Sequence, residues 1–524
     1  MSSRRLITIP AIKKNAAIPD QLIKKLDGIT LIQRAINTAK EITNNILIIT
    51  DSEEISLIAQ RNNIEVYFDN NLTLNSTNII SKIKNIIKEV NTNVILYRAN
   101  TPLINSNILE KAYQAFLLDT KIIVTSVKNL DKRLLKYNGN TLQNIDNSYF
   151  KELKSFYIFN TNTDTNANTI YKPFVINEDH SIEIESYQDW WICEKILQRK
   201  RIVFYVIGSL EVGMGHIYHS IALAHEIVDH EVIFVCDEMH EIAVEKIALM
   251  DYRVISSGDP TKVIINLKPD LVINDILNTQ EAYIKILKQN DIIVVNFEDL
   301  GAGAKLADLV INELYDEPQL NGDNFLWGCK YLALRDEFED AIPHEFENKI
   351  KSVLITFGGT DQNNLTLVTL KAIINNAEQH NIKIYIACGS GYIFKDELIQ
   401  YLEGHSYKNI KLNFSIGAIS KIMEQTQIAF SSNGRTVYEL ADMNITSIIV
   451  SHHAREGGHT FASLEKGFIN LGIYNDVTTP DLIKKSFKKL ILDSSYRKLL
   501  FLNITKYKFR ENKKKVVEEI LKLL

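Results

Sequence analysis

The stretch Val212-Gly213-Met214-Gly215-His216 lies between an apolar run, residues 202–207, and a segment with apolar residues at helical spacing, residues 217–227. This order predicts a strand, a glycine turn and a helix. Glycines let the backbone at such a turn approach a ligand that a Cβ atom would exclude. The helix start offers free N–H groups to an anion, and a histidine there can move a proton near neutral pH. The turn is therefore predicted to be a ligand site, although it lacks the third glycine of a dinucleotide fingerprint.

Composition and charge indicate a globular chain without a nucleic-acid partner. The 524 residues are 45% hydrophobic and 23% charged, values typical of folded domains. A formal net charge of -5 gives no hint of a basic surface for nucleic acid. The four cysteines lie far apart and show neither a disulfide framework nor a metal motif, so a cytoplasmic location is expected. No window approaches the roughly 18 consecutive apolar residues of a spanning helix, so no membrane span is expected.

Strand-like apolar runs alternate with helical patterns along the whole chain, which predicts an α/β fold with parallel sheets covered on both faces. Such sheets bind ligands at the carboxyl ends of their strands. A new strand follows Arg199-Lys200-Arg201, and a second break falls near residues 343–349. The run Lys513-Lys514-Lys515 is interpreted as a solvated face. The predicted domains are residues 1–200, a first lobe at 201–345, and a second lobe with terminal helices at 346–524.

Three polar motifs follow strand-like runs in the last third of the chain. Phe357-Gly358-Gly359-Thr360-Asp361 again places glycines at a strand end. Ser431-Ser432-Asn433-Gly434-Arg435-Thr436 offers hydroxyl and N–H donors for a diphosphate, and its arginine can hold a phosphate in bidentate fashion. One turn on, Glu439 can accept hydrogen bonds from ribose hydroxyls, as acidic residues do in other nucleotide sites. Arg455-Glu456-Gly457-Gly458-His459-Thr460 then packs polar groups into one loop.

Five ordered segments, residues 213–224, 297–301, 357–361, 432–440 and 455–462, resemble the spore-coat-polysaccharide and pseudaminic-acid-pathway group of UDP-sugar hydrolases. The resemblance covers about residues 201–485. It implies the two-lobed glycosyltransferase-B fold, with UDP in the cleft and held mainly by the second lobe. It also implies that a histidine in the glycine turn acts at the anomeric centre. The products would be UDP and a free 2,4-diacetamido-2,4,6-trideoxyhexose, released with inversion.

The resemblance and the strand-end positions together supply the candidate residues of this part. His216 is the candidate base, because a neutral imidazole can take a proton from attacking water. Asp275, at the end of another strand, can orient that histidine. A helix N-terminus and Arg435 can stabilise the departing diphosphate, so no cofactor is expected here. The candidate UDP- and substrate-binding residues are Gly213, Gly215, His219, Glu298, Asp299, Gly358, Gly359, Thr360, Asn433, Gly434, Arg435, Thr436, Glu439, Arg455, Glu456 and His459.

Departures from that group leave the substrate open. The hydrolases carry an Arg and an Asp where Tyr205 and Ile207 stand, and an Arg at the position of His219. Residues 455–459 replace their late Asn-Gln pair. A UDP-sugar-dependent glycosyltransferase and a non-catalytic nucleotide-sugar-binding scaffold are therefore alternative functions. A metal site is a further alternative, with ligands drawn from His216, His219, His452, His453 and His459.

Residues 1–200 resemble the cytidylyltransferases that activate sialic-acid-type sugars, through Ile9-Pro10-Ala11, Thr50-Asp51-Ser52-Glu53-Glu54, Thr101-Pro102-Leu103 and the acidic motif at 182–185. The resemblance implies a Rossmann-type nucleotidyltransferase domain that uses CTP, a nonulosonic acid and Mg²⁺. The candidate CTP-binding residues are Pro10, Ala11, Lys13, Lys14, Lys24 and Asn100, and the candidate magnesium ligands are Glu183 and Glu185.

The phosphate-binding loop of this part is altered. The family's Gly-Gly-Ser loop reads Ile12-Lys13-Lys14-Asn15-Ala16, and its Lys-Asn pair is Gln21-Leu22. Lysines can hold phosphate as point charges, but without glycines the backbone cannot wrap it as closely. Two interpretations stay open: a CTP-dependent enzyme with weak CTP binding, or a nucleotidyltransferase fold that now binds sugar or forms a homodimer. The leading hypothesis for the whole chain is a bifunctional protein of nonulosonic-acid biosynthesis. UDP-sugar hydrolysis would lie in residues 201–524 and CMP transfer, if retained, in residues 1–200.

Overall fold

The computed structural model describes residues 4–13, 18–72, 74, 79–129, 134–137, 142–145, 150–164, 169–209, 213–414 and 417–524. The chain divides into two compact units, Met1–Arg199 and Lys200–Leu524. Each unit is built from strands alternating with helices, and the predicted α/β fold class is confirmed. Among the helices of the described residues, none combines the length and the hydropathy that a membrane crossing requires.

The first unit contains one large sheet and two short hairpins. Its strands are β1 (Arg4–Ala11), β2 (Lys25–Leu26), β3 (Ile29–Thr30), β4 (Ile46–Thr50), β5 (Glu65–Phe68), β6 (Thr92–Tyr97), β7 (Ile123–Asn129), β8 (Leu134–Tyr137), β9 (Leu142–Ile145), β10 (Phe150–Asn160) and β11 (Tyr171–Val175). Its helices are α1 (Leu31–Lys40), α2 (Glu53–Arg61), α3 (Ile79–Ile86), α4 (Ser106–Leu117) and α5 (Tyr187–Gln198). The large sheet has the order β11-β7-β10-β6-β1-β4-β5.

This sheet is mixed, and not purely parallel as predicted from the alternation of strands and helices. Strand β10 pairs antiparallel with both β6 and β7, whereas the other pairs of the sheet are parallel. The reason lies in the connection: α4 precedes β7, but among the described residues only the β8–β9 hairpin, and no helix, separates β7 from β10. A strand that returns without a helical crossover runs antiparallel to its predecessor.

The second unit contains two parallel sheets. Its strands are β12 (Arg201–Val206), β13 (Glu231–Asp237), β14 (Val254–Ser257), β15 (Leu271–Asp275), β16 (Ile293–Phe297), β17 (Leu309–Asn312), β18 (Phe325–Trp327), β19 (Ser352–Ile355), β20 (Lys383–Cys388), β21 (Ile410–Phe414), β22 (Ile428–Ser431), β23 (Thr446–Ser451) and β24 (Phe468–Ile473). Its helices are α6 (Gly215–His225), α7 (Glu241–Ala248), α8 (Pro260–Leu267), α9 (Glu281–Gln289), α10 (Leu365–Gln379), α11 (Lys395–Glu403), α12 (Ser420–Met423), α13 (Thr436–Asp442), α14 (Ala454–Gly457), α15 (Thr479–Leu492), α16 (Ser494–Ile504) and α17 (Asn512–Leu521).

The first lobe is the sheet ordered β14-β13-β12-β15-β16-β17-β18, and the second lobe is the sheet ordered β21-β20-β19-β22-β23-β24. All their strand pairs are parallel, and the central strands are buried along their length. The connecting segment, residues 328–351, joins the two lobes. This is the two-lobed arrangement that the sequence predicts for this part of the chain. Carboxyl ends of parallel strands carry ligand-binding loops, so the ligand site is expected at these ends.

The last helix does not stay with the second lobe. Val516, Val517 and Ile520 of α17 lie in the hydrophobic core of the first lobe. Lys513 on the same helix is only 4% exposed and pairs with Glu226, Asp336 and Glu339. The interpretation of the lysine run as a solvated face is therefore wrong for Lys513, because an apolar helix face and three carboxylates draw its side chain inward.

Candidate active site

A cavity of about 350 Å³ lies between the two lobes of the second unit. It is bordered by loops that follow β12, β15, β16, β19, β22 and β23, and by the connecting segment. The predicted residues that line it are Gly213, Gly215, His216, His219, Glu298, Gly358, Gly359, Thr360, Gly434, Arg435, Thr436, Glu439, Arg455, Glu456 and His459. Most of the sequence-predicted residues of this unit therefore converge on one space.

Two glycine turns bring the lobes into contact at this cavity. Gly213 has φ +86° and Gly358 has φ +78°, a backbone region that favours glycine. A Cβ atom on Gly359 would lie 2.9 Å from the side chain of Met214. Gly213 and Gly358 are thus needed for their positive φ. Gly359 is needed because the opposite lobe approaches too closely for a Cβ atom.

His216 is held by a buried carboxylate. Its Nδ1 lies 2.5 Å from Oδ1 of Asp275, at the end of β15. The other oxygen, Oδ2, lies 2.7 Å from His219 Nδ1 and accepts a hydrogen bond of 3.2 Å from the Ser220 hydroxyl. Because Nδ1 faces the carboxylate, Nε2 is the ring atom of His216 left to act on a ligand. This is the geometry of a base oriented by an acid.

The charge state of Asp275 fits that role. Burial alone raises the pKa of a carboxyl group, but the charges of His216, Arg435 and His219 outweigh it and hold the pKa of Asp275 well below its ordinary value. The side chain is fully buried and remains ionised. An ionised carboxylate against Nδ1 stabilises the imidazolium that forms when Nε2 takes up a proton.

Arg435 does not project freely into the cavity. Its Nε and Nη2 donate to Oε1 of Glu313 at 3.1 and 2.9 Å. Nη2 also lies 3.4 Å from Glu298 Oε2 and 3.7 Å from Asp275 Oδ1. Glu313 was not predicted from the sequence, although its place directly after β17 is the strand-end position that singled out Asp275 and Glu298.

A second ion-pair cluster crosses the cleft at Glu298, a residue with φ +52°. Its Oε1 lies 3.3 Å from Nε2 of His459 and 3.3 Å from Nε of Arg455, and its backbone carbonyl accepts from Arg455 at 2.6 Å. Burial raises the pKa of Glu298, but the hydrogen bond from His459 and the charge of Arg435 lower it by a larger amount. The pKa of Glu298 therefore lies well below its ordinary range. The pKa of His459 is raised, because the carboxylate outweighs the effect of burial.

Glu439 lines the cavity, and one of its two carboxylate oxygens accepts a hydrogen bond. Its Oε1 accepts a 2.7 Å hydrogen bond from Nε of Arg335, which belongs to the connecting segment. Its Oε2 is buried and has no hydrogen-bond partner among the described residues. Arg335 also pairs with Glu337 at 2.9 Å and lies over the ring of Tyr218. Arg335 was not predicted, since its contact with Glu439 spans 104 residues.

Asp299 and Asn433 differ from the predicted ligand contact. The two oxygens of Asp299 accept from Thr279, Asn296 and the backbone of Gly301, all within the first lobe. The amide of Asn433 donates to the backbone carbonyls of residues 456 and 459. Neither residue lines the cavity. Both side chains tie their loops to the loop that follows a neighbouring strand, and they shape the site through those connections.

The metal alternative is not matched in the described part of the chain. There, Glu226, Asp336 and Glu339 form the one group with metal-ligand spacing. The ammonium of Lys513 already lies among these three carboxylates. The histidines near His216 form no such group, so the expectation that the second unit needs no metal stays a prediction.

In the first unit, Pro10 and Ala11 end β1, and Lys13 follows them. Nζ of Lys13 lies 2.6 Å from Glu54 and 2.9 Å from Asp20, and its hydrogen bonds to these carboxylates raise its pKa. Lys24 is part-buried before β2, and Lys14 lies outside the described residues. The lysine that was expected to hold triphosphate is thus already paired with acidic side chains.

The predicted magnesium ligands do not fit a metal site in this arrangement. Oε1 of Glu183 lies 2.6 Å from Nη1 of Arg98 and accepts a hydrogen bond from Asn100 at 3.2 Å. A guanidinium at that distance repels a divalent cation. The backbone N–H of Glu185 donates to Asp189. The two glutamates line a common cavity, but neither belongs to a described group of three potential ligands.

Comparisons with known proteins agree with a two-part chain. Residues 9–211 match the family model described as cytidylyltransferase, so the chain contains a cytidylyltransferase-family domain. An uncharacterized protein of Methanocaldococcus jannaschii, MJ1062, is 28% identical over 270 residues, which are 48% of this chain and 55% of that protein.

A protein of Helicobacter pylori, pseudaminic acid cytidylyltransferase and UDP-2,4-diacetamido-2,4,6-trideoxy-beta-L-altropyranose hydrolase, is 25% identical over 225 residues, 41% of this chain and 39% of that protein. The chain thus spans about half, or less, of the length of these curated relatives. Among solved structures, MurG of Acinetobacter baumannii is similar with a TM-score of 0.45 and 14% identity, over 62% of this chain and 99% of that one.

Proposed function

We propose that this chain serves the biosynthesis of a sialic-acid-like nonulosonic acid, and that its second unit hydrolyses a UDP-2,4-diacetamido-2,4,6-trideoxyhexose to UDP and free sugar. The observation that carries the proposal is the His216–Asp275 contact of 2.5 Å, in which a buried carboxylate holds a histidine that lines the cavity beside two glycine turns. The distant similarity to the Helicobacter pylori protein supplies the substrate class.

The reaction follows from the geometry of the pair. Nε2 of His216 takes a proton from water, and the water oxygen forms a bond to the anomeric carbon of the sugar. The bond from that carbon to the diphosphate oxygen breaks, and the electron pair leaves with UDP. Attack opposite the leaving group inverts the anomeric centre. Asp275 keeps Nδ1 of His216 protonated throughout, so the ring presents its basic nitrogen to water.

The second lobe supplies groups for the UDP moiety. Ser432, Gly434 and Thr436 follow β22 and line the cavity together with Gly358 and Gly359, which follow the neighbouring strand β19; the two loops offer hydroxyl and N–H donors to a diphosphate. The free Oε2 of Glu439 is an acceptor for a ribose hydroxyl. The hydroxyl and N–H donors stabilise the negative charge that develops on the leaving diphosphate, whereas Glu439 orients the nucleoside.

The first unit is proposed to retain at most weak CTP-dependent CMP transfer. The family match supports a nucleotide site. Lys13 is paired with Glu54 and Asp20, and Glu183 is paired with Arg98. These side chains are therefore less available to bind the triphosphate or Mg²⁺.

Incubation with UDP-2,4-diacetamido-2,4,6-trideoxy-β-L-altropyranose and no acceptor tests the hydrolase. The expected result is free sugar and UDP in equal amounts, lost in His216→Ala. His225→Ala is the matched control, since His225 ends the same helix and pairs with Asp336 outside the cavity. Turnover only with an added acceptor would indicate a glycosyltransferase. UDP binding without turnover in the wild type would indicate a binding protein.

A further inference from the structure

Arg435 of the second lobe meets three carboxylates of the first. Glu313, Glu298 and Asp275 follow or end three neighbouring strands, and their oxygens lie 2.9, 3.4 and 3.7 Å from Nη2 of the arginine. The guanidinium is 14% exposed, and the carboxylates of Glu313 and Asp275 are fully buried. Of these contacts, the hydrogen bonds go to Glu313 through Nε and Nη2.

We propose that Arg435 is a positioning residue that ties the second lobe to the His216–Asp275 pair, and that its guanidinium is not a ligand of the diphosphate. The role rests on the proposed function, since it concerns the same base. It differs from the phosphate contact that the sequence predicts for this arginine.

The partner set argues against a phosphate contact. A diphosphate could reach Nη2 only by displacing Glu313, which would leave a buried carboxylate without its cation. Oε2 of Glu313 has no hydrogen-bond partner among the described residues, so Arg435 is the main compensation for that charge. The remaining nitrogen, Nη1, packs against the glycine turn, where a Cβ atom on Gly215 would lie 3.5 Å away.

The position of the charge indicates what Arg435 does. Nη2 lies 3.7 Å from Oδ1 of Asp275, the same oxygen that lies 2.5 Å from His216 Nδ1. A fixed positive charge there helps to keep Asp275 ionised and holds its Oδ1 in place against His216 Nδ1. The other ionisable groups that face this set are His219 at Oδ2 of Asp275, and Arg455 and His459 at Glu298.

Lobe closure and base chemistry are therefore linked through one side chain. The three carboxylates are neutralised, and His216 is oriented as a base, only when the second lobe brings Arg435 into place. Nucleotide binding, which holds the lobes together, would act on the base through this residue without touching it.

Calorimetric titration with UDP, together with steady-state kinetics of hydrolysis, tests the proposal in Arg435→Gln. We expect a UDP Kd within about threefold of wild type and a kcat lower by about 100-fold with little change in KM, because the orienting carboxylate loses its cation while the nucleotide contacts remain. A Kd raised more than tenfold, or a kcat within threefold of wild type, would overturn it.

Two further variants keep the test decisive. Arg435→Gln/Glu313→Gln removes both partners of the ion pair and so leaves no unpaired charge at this position. It replaces the single variant if that protein unfolds, and the same low kcat with little change in KM is expected. Arg201→Gln, which breaks another arginine–carboxylate pair at Glu231 near the amino ends of β12 and β13, controls for lost stability alone and should retain wild-type kinetics.

Failure of the proposed function is separable from failure of this inference. If wild type releases no sugar, ¹⁵N NMR of the histidine rings still reports the contact between His216 Nδ1 and Asp275 with UDP bound. The Nδ1 resonance of His216 should shift in Arg435→Gln, and an unchanged resonance would overturn the positioning role.

Discussion

Replacing Asp275 with asparagine isolates the charge that orients His216. The side chain keeps its shape but loses its negative charge, and one of its two acceptor atoms becomes a donor. That change affects contacts of 2.5 Å to His216 and 2.7 Å to His219. The substitution therefore removes the charge that stabilises the protonated imidazole ring. It also disturbs the tautomer in which Nδ1 carries the proton and Nε2 is free to accept one.

The size of the effect follows from the distance. Two unit charges about 4 Å apart at an effective dielectric of 20 attract by about 4 kcal/mol, and the Nδ1–Oδ1 contact places ring and carboxylate in that range. Since about 1.4 kcal/mol corresponds to a factor of ten in rate, kcat should fall by about 10³-fold. UDP affinity should stay near wild type, because Asp275 does not line the cavity.

The assay measures UDP release from the UDP-sugar and, separately, UDP binding by calorimetry. Asp270→Asn is the matched control, since Asp270 precedes the same strand and pairs with Lys200 at its opposite end. A kcat within tenfold of wild type, in a protein that His216→Ala inactivates, would refute the claim that the carboxylate orients and charges the base. Equal losses in both aspartate variants would refute it as well.

Three further expectations concern stability and the first unit. Near pH 7, wild type should have a higher melting temperature than Glu298→Gln, because the lowered pKa of Glu298 stabilises the fold at pH values above 4.5, the ordinary pKa of the group. Thermal melts should show this difference shrinking as the pH falls below about 4.5. A difference that does not depend on pH would contradict the expectation. Lys513→Ala should lower the free energy of unfolding by about 1–3 kcal/mol, measured by denaturant titration, whereas Lys514→Ala, at an exposed neighbour, should change it by less than about 0.5 kcal/mol. CTP binding measured by calorimetry with Mg²⁺ should be weak and should tighten several-fold in Asp20→Asn/Glu54→Gln, which removes both carboxylates that pair with Lys13; no heat in either protein would remove the transferase proposal.

Much of the second unit could be predicted because its signals are local. A glycine turn after an apolar strand, followed by a helical pattern, depends on neighbouring residues only, and Gly213 and Gly358 have the positive φ that such turns require. The carboxyl-end rule then placed His216 and Asp275 near one another. The pairing of strands into two parallel sheets follows from the same alternation.

What the sequence could not supply depends on contacts between distant residues. Arg435 and Glu313 are separated by 122 positions, and neither motif shows that the arginine is already paired. Asp299 and Asn433 have the residue type and strand-end position of ligand-binding groups, yet their side chains bond to N–H and C=O groups of loops 20 or more residues away. The antiparallel β10 depends on a connection without a helix, which strand patterns alone do not reveal.

The return of α17 to the first lobe has a mechanical consequence. The chain crosses between the lobes twice, once through residues 328–351 and once between α16 and α17. The two crossings are bonded to each other, since Arg510 donates to the carbonyls of Glu339 and Ala341 and Lys513 pairs with Asp336. We expect two linked crossings to restrict relative motion of the lobes to rotation about one line, so that the cleft would close each time in the same register. A site whose base depends on one arginine from the opposite lobe requires that reproducibility.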